Sequence, residues 1–294
     1  CCRTRTTRMG HRRRFHSGAI RELYSEMVNA GADVIQVMAF YGSRAKLESV
    51  GKGDLTEVVN EMVTRVVREV AGDLSTTLSW REDDADAAQL TSRMLDEQIE
   101  AQAAVDFFIG ETFHHLGEAL LCLERIKHTS GLPAMITMSF RADATTPDGF
   151  TAGECAAKLS DAGADIVGVN CMRDPERTYP IIGEMRGATD TYLAAQPVAH
   201  ACSNATPWFT GSSAFPDRLE PTRMTRYQMA DFAVRARDLG VNYIGSCCGS
   251  GAVHVREMAR ALGKVSVDPH WSPDPDNPMS DTEYNRRRVR GSDD

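Results

Sequence analysis

Long hydrophobic runs are missing from this 294-residue sequence. No window approaches the roughly 18 to 20 consecutive apolar residues of a membrane-spanning helix. Proline (12 residues) and aromatics (7%) are sparse, and no collagenous, coiled-coil or disorder-type composition is present. Positive charge is short as well: the net charge of −8 lacks the basic face that general nucleic-acid binding needs. Neither GxGxxG nor GxxxxGK[ST] follows any strand-like run, which removes the best support for a nucleotide site. The eight cysteines have no regular spacing, against an extracellular disulfide framework. What is present is a 42% apolar, 25% charged chain, enough for one large core or two modest ones. The expectation is a soluble, acidic, cytoplasmic globular protein.

The charge is uneven. Residues 1–16 carry six arginines and no acid, which leaves −14 for the remainder. This start resembles an organelle transit segment in composition but lacks the amphipathic pattern. Residues 1–17 are therefore read as an atypical segment not native to the fold. From about residue 265 the chain turns Pro- and Asp-rich and then basic, with little to bury, and 265–294 reads as a flexible polar tail.

Between these ends, over 18–264, one pattern recurs: an amphipathic helical stretch, often a Gly, then a short Val/Ile/Phe run. Helical spacing appears at 19–30, 55–70, 87–103, 116–129, 152–162, 175–186, 227–239 and 253–262. The intervening runs are 33–40, 73–80, 105–111, 133–140, 165–171, 192–198 and 242–248, seven in all. Glycine after a helix is a C-cap signal, and continuous apolar strands between helices indicate a parallel sheet covered on both faces. At about 30 residues per unit this suits a doubly wound sheet or a (β/α)8 barrel. Seven units are one short of a closed barrel, and the unit that looks lacking is the first.

In a barrel, reactive groups stand at the C-terminal ends of strands. There the fifth run ends on Cys171 and the seventh on Cys247-Cys248-Gly249. A lone cysteine is usually a small buried hydrophobe. A vicinal pair at one strand end with a third cysteine at another instead suits zinc with an open fourth position. Cys122 and Cys155 fall on helical patterns as packing residues, and Cys202 lies in a loop.

GADVIQVMAFYGS, FFIGETF, AGECAAKLSDAGADIVGVNC, RLEPTRMTRYQMADFAVRARDLGVNYIGSCCG and VHVREMARAL together resemble the homocysteine S-methyltransferase family, nearest its betaine–homocysteine branch. The resemblance runs through residues 18–263 in order. It implies a (β/α)8 TIM-type barrel whose Cys171, Cys247 and Cys248 bind Zn2+, with homocysteine methylated to methionine. Three anionic sulfurs would keep the metal weakly electrophilic, so that a bound thiolate retains its nucleophilicity. By the same resemblance Glu111 would hold the homocysteine ammonium. Tyr41, with Phe40 beside it, would line the pocket of a small onium donor, as a cation–π wall suits a trimethylammonium.

The chain departs from the family in three places. The family's first strand, with its DGG-type turn, cannot be found in residues 1–17. Thr112 stands where the betaine branch usually has Tyr. The long C-terminal arm that serves oligomer contacts there is mostly absent, so a homo-oligomer cannot be inherited by analogy. Betaine is the first expectation for the donor, giving dimethylglycine. Dimethylsulfoniopropionate or S-methylmethionine is the alternative. A truncated, catalytically inactive zinc-binding barrel is the reading from another class. No nucleic acid or membrane partner is expected.

Overall fold

The structure is a computed structural model that describes residues 17–64, 70–75, 77 and 80–265. Readings for residues 1–16 and 266–294 lie outside the described residues. The elements alternate along the chain: α1 (Ser17–Asn29), β1 (Ile35–Gln36), α2 (Arg44–Glu48), α3 (Thr56–Thr64), β2 (Val70–Ser75), α4 (Ala85–Ala101), β3 (Phe107–Phe113) and α5 (Leu116–Thr129). They continue through β4 (Ala134–Met138), α6 (Ala152–Asp161), β5 (Ile166–Asn170), α7 (Pro175–Ala188), β6 (Tyr192–Gln196), α8 (Arg226–Asp238), β7 (Tyr243–Ile244) and α9 (Ala252–Ala261).

The seven strands form one sheet in chain order, and every neighbouring pair is parallel. A doubly wound sheet would reverse its strand order at a switch point. This one never does, so it curls as a TIM-type α/β barrel does. Among the described residues β1 and β7 each pair on one side only. A cleft of about 550 Å³ runs between them, walled by Tyr24 and Met27 of α1, Ile35 of β1, Tyr243 of β7 and Met258 of α9.

Local chemistry explains why the helices start where they do. Thr151 and Glu154 form a reciprocal capping box on α6, as do Thr225 and Gln228 on α8. Asp84 caps α4, and Asp174 caps α7 with Pro175 just inside it. Apolar side chains then divide into two layers. The larger packs between sheet and helices and includes Leu95, Phe108, Leu123, Ile126, Ile182 and Phe232. The smaller joins Ala71, Ile109, Met135 and Ala194 of β2, β3, β4 and β6 inside the curl of the sheet. Among the described residues no helix is long and apolar enough to cross a membrane.

The region between β1 and α4 differs from the sequence reading, which had no helix at α2 (Arg44–Glu48). The strand expected at 73–80 begins three residues earlier, at Val70, and the helix expected to reach residue 70 is α3, ending at Thr64. Gly72, which looked like a helix terminator, lies in β2. A Cβ there would meet the Phe108 ring at 2.6 Å, so the glycine makes room for an aromatic of the neighbouring strand.

Gly168 in β5 is tighter still: an added Cβ would stand 2.2 Å from the Ala194 carbonyl oxygen of β6. Backbone cannot retreat as a flexible side chain can. Gly168→Ala should therefore cost about 1–3 kcal/mol of stability, read as a lower denaturation midpoint in urea. An unchanged midpoint would show that the β5–β6 spacing is looser than described.

Candidate functional site

The C-terminal end of the sheet gathers the three cysteines singled out in the sequence. Cys171 follows β5, and its N–H donates to the Gln196 carbonyl at 2.9 Å. Cys247 and Cys248 follow β7: the Cys247 N–H donates to the Pro197 carbonyl, and the Cys248 carbonyl accepts from Ala199 N–H, each at 2.8 Å. The loop after β6 thus clamps both cysteine segments. Gly249 then turns the chain at φ +85, where a Cβ would stand 2.5 Å from His200 Nε2. This position demands glycine for both conformation and space. His200 is itself buried, stacked on Phe209 at 5.6 Å between ring centroids. Its Nδ1 lies 3.1 Å from Thr222 Oγ1.

The Sγ atoms of Cys171 and Cys248 lie 3.8 Å apart, as do those of Cys247 and Cys248, and all three fall within 4.8 Å of one another. Tetrahedral zinc with Zn–S bonds of ~2.3 Å has ligand sulfurs about 3.8 Å apart. The donor set therefore fits zinc in both chemistry and spacing. Burial is graded, with Cys171 buried, Cys247 half-buried and Cys248 exposed. Hydrogen bonds from the Cys171 and Cys247 thiols hold the Cys248 thiol down to about 3. Cys247, crowded by the sulfurs of Cys171 and Cys248, is pushed well up, and Cys171 stands at about 12. The shifts favour the thiolate at Cys248 and the protonated thiol at Cys171 and Cys247.

Glu111 lies on β3 two strands from Cys171, and Asn170 connects them. Asn170 Nδ2 donates to Glu111 Oε2 at 2.9 Å and to Thr112 Oγ1 at 2.8 Å. Its Oδ1 accepts from Thr112 N–H and from the Thr137 hydroxyl, both at 2.9 Å. Gln36 Nε2 donates to Glu111 Oε1 at 2.8 Å. Burial outweighs these hydrogen bonds and pushes the Glu111 carboxyl up to about 7. Thr112, Cys171 and Met172 all take left-handed backbone at φ +63, +58 and +55. For a β-branched threonine that is a strained conformation, and such strain concentrates where side chains must be aimed.

Above the small apolar cluster, side chains of the same strand faces are polar. Following Met135 by alternation come Thr137 and Ser139, and following Ala194 comes Gln196. Among the described residues Ser139 Oγ, Gln196 Oε1 and Asp73 Oδ1 are buried with no hydrogen-bond partner. Buried polar atoms are seldom left unpaired.

Phe40 and Tyr41 stand beyond β1, edge to face with ring centroids 5.1 Å apart. Tyr41 is 69% exposed. A cation already lies over both rings: Lys46 Nζ, 4.5 Å from the Phe40 centroid and 5.1 Å from that of Tyr41. Sequence reasoning had no signal for Lys46, which reaches the rings from α2. Nor did it single out Asn170, legible only as the polar end of an apolar strand, or Gln36 and His200. Cys122 and Cys155 are buried in the helix-facing core, as their helical spacing indicated.

The chain matches the homocysteine S-methyltransferase family model over residues 3–262. Betaine–homocysteine S-methyltransferase 1 of Rattus norvegicus is 35% identical over 267 residues, covering 84% of this chain and 65% of that protein. S-methylmethionine–homocysteine S-methyltransferase of Mus musculus is 32% identical over 263 residues, covering 84% and 70%. The metallated homocysteine methyltransferase MmuM of Escherichia coli shares the fold. Its TM-score is 0.66 at 15% identity, covering 83% of this chain and 85% of that one.

Filling the thiol cluster must displace the protons of Cys171 and Cys247, so zinc affinity should rise with pH. Calorimetric zinc titration in two buffers of different ionisation enthalpy should show protons released as the metal binds. Binding without proton release would show that these thiols are not the ligands.

Proposed function

The chain belongs to the homocysteine S-methyltransferase family, and we propose that it transfers a methyl group from a small onium donor to the sulfur of homocysteine, giving methionine. The observation that carries this reading is the triangle of Cys171, Cys247 and Cys248 at the strand ends, with the buried Glu111 carboxylate tied to it through Asn170. The three cysteines would hold zinc, which supplies a fourth position where the homocysteine thiol is kept as thiolate at neutral pH.

The protein's own residues orient both partners. Glu111 accepts hydrogen bonds from the homocysteine ammonium, and that charge repays the cost of keeping the carboxylate buried. Asn170, with every valence used, fixes the carboxylate relative to Cys171. Phe40 and Tyr41 line the donor side of the mouth. Methyl transfer requires the sulfur and the donor carbon to be held in line, and much of the rate enhancement comes from that positioning. A reduced three-thiol site suits the cytoplasm.

Betaine is the first donor in this reading, and dimethylglycine its product. A sulfonium such as dimethylsulfoniopropionate or S-methylmethionine is the alternative donor.

The test follows methionine formation from homocysteine with betaine, dimethylsulfoniopropionate and S-methylmethionine supplied separately to zinc-loaded protein. Cys247→Ala should lose both bound zinc and turnover. Glu111→Ala should keep zinc and raise the homocysteine KM by about tenfold or more, the worth of a charged hydrogen bond. Zinc retained in Cys247→Ala would remove the proposed ligand set. Zinc-loaded wild-type protein inactive with all three donors would favour an inert zinc-binding barrel.

A further inference from the structure

Lys46 stands on α2 with its ammonium drawn inward rather than out to solvent. Nζ donates to the Phe40 carbonyl at 3.1 Å and to Ser75 Oγ at 2.7 Å, and the Ser75 hydroxyl donates to the same carbonyl at 2.9 Å. Ser75 is the last residue of β2 and pairs in register with Glu111 on β3. The ammonium is therefore fixed at the mouth of the sheet, one strand from the carboxylate assigned above to homocysteine.

Its charge is incompletely matched. Among the described residues no carboxylate oxygen lies within 4.0 Å of Nζ. Two of its three N–H groups meet neutral oxygens, and the rings of Phe40 and Tyr41 flank it at 4.5 and 5.1 Å. Burial lowers the lysine below its ordinary value, and the acids Asp73, Glu118 and Glu111 offset this only from a distance. A half-buried ammonium with a donor to spare is completed by an anion.

The small onium donors of the proposed reaction share one feature besides the onium charge: betaine, dimethylsulfoniopropionate and S-methylmethionine all carry a carboxylate. The onium end cannot take the aromatic pair while Lys46 holds it, because two cations would then face the same rings. The carboxylate end can.

We infer that Lys46 binds the carboxylate of the methyl donor through its third N–H, at the edge of the Phe40–Tyr41 pair, so that the onium end points away from the rings and into the mouth. This rests on the methyl-transfer reading. It assigns a donor-binding residue that neither composition nor strand-end position singled out. It also makes Lys46 a gauge of donor length, since the carboxylate-to-methyl span differs among the three donors.

The experiment compares wild type, Lys46→Met and Lys46→Arg as zinc-loaded full chains, with thermal melts to confirm folding. Lys46→Met should raise the donor KM about 10- to 100-fold, the range for losing a charged hydrogen bond. kcat and the homocysteine KM should stay within about threefold, and Lys46→Arg should recover most of the donor affinity. Betaine methyl ester, which lacks the carboxylate charge, should not distinguish wild type from Lys46→Met.

An unchanged donor KM in Lys46→Met would overturn the inference. So would a rise confined to the homocysteine KM, which would give the ammonium to the other substrate's carboxylate. If wild-type protein forms no methionine from any donor, the methyl-transfer reading fails, and calorimetry with the same three donors decides Lys46 separately. Binding weakened tenfold in Lys46→Met sustains the carboxylate site; equal binding, or none to wild type, removes it.

Discussion

The buried amide of Asn170 is the interaction on which the functional end of the sheet depends. It ends β5, and its four hydrogen bonds reach Glu111, Thr112 and Thr137 on β3 and β4. The next residue is Cys171. One side chain with no spare valence thereby fixes the height of a carboxylate, the left-handed turn at Thr112 and the start of the thiol cluster. Each buried polar group left unpaired costs about 1–3 kcal/mol, so this network holds one arrangement and penalises others.

The inside of the sheet is divided by depth. Its lower part is small and apolar, with Ala71, Ile109, Met135 and Ala194 in contact. Its upper part collects Gln36, Asp73, Glu111, Thr137, Asn170 and Gln196, several fully buried. Burial drives the Asp73 carboxyl well above the usual range, with Glu111 nearby adding to the effect. A chain folding for stability alone would fill this level with aliphatic side chains. The helix-facing layer with Phe108, Leu123 and Phe232 supplies the cohesion that this polar level lacks.

Much of this was legible in the residues. Alternating helix-period and apolar runs gave seven parallel strands, because each run's hydrophobic pattern is set locally. The three cysteines could be picked out because they end apolar runs, and strand ends converge in a barrel. Where reading failed, local signals conflicted. Gly72 looked like a terminator, yet its reason lies 36 residues away in the Phe108 ring. No local pattern set Lys46 apart, and only the approach of Phe40 and Ser75 draws it inward.

The sequence by itself determined the class of fold, the order of its units and the chemical types at the ends of its strands. These follow from periodicity and composition within about 30 residues. Tertiary structure decided which of those groups meet: that the Cys248 sulfur after β7 comes to 3.8 Å from both that of Cys247 and that of Cys171 after β5, that Glu111 is held by Asn170, and that an ammonium from α2 lies over the aromatic pair. Such meetings depend on sheet curvature and loop paths between residues dozens of positions apart, which no local pattern encodes.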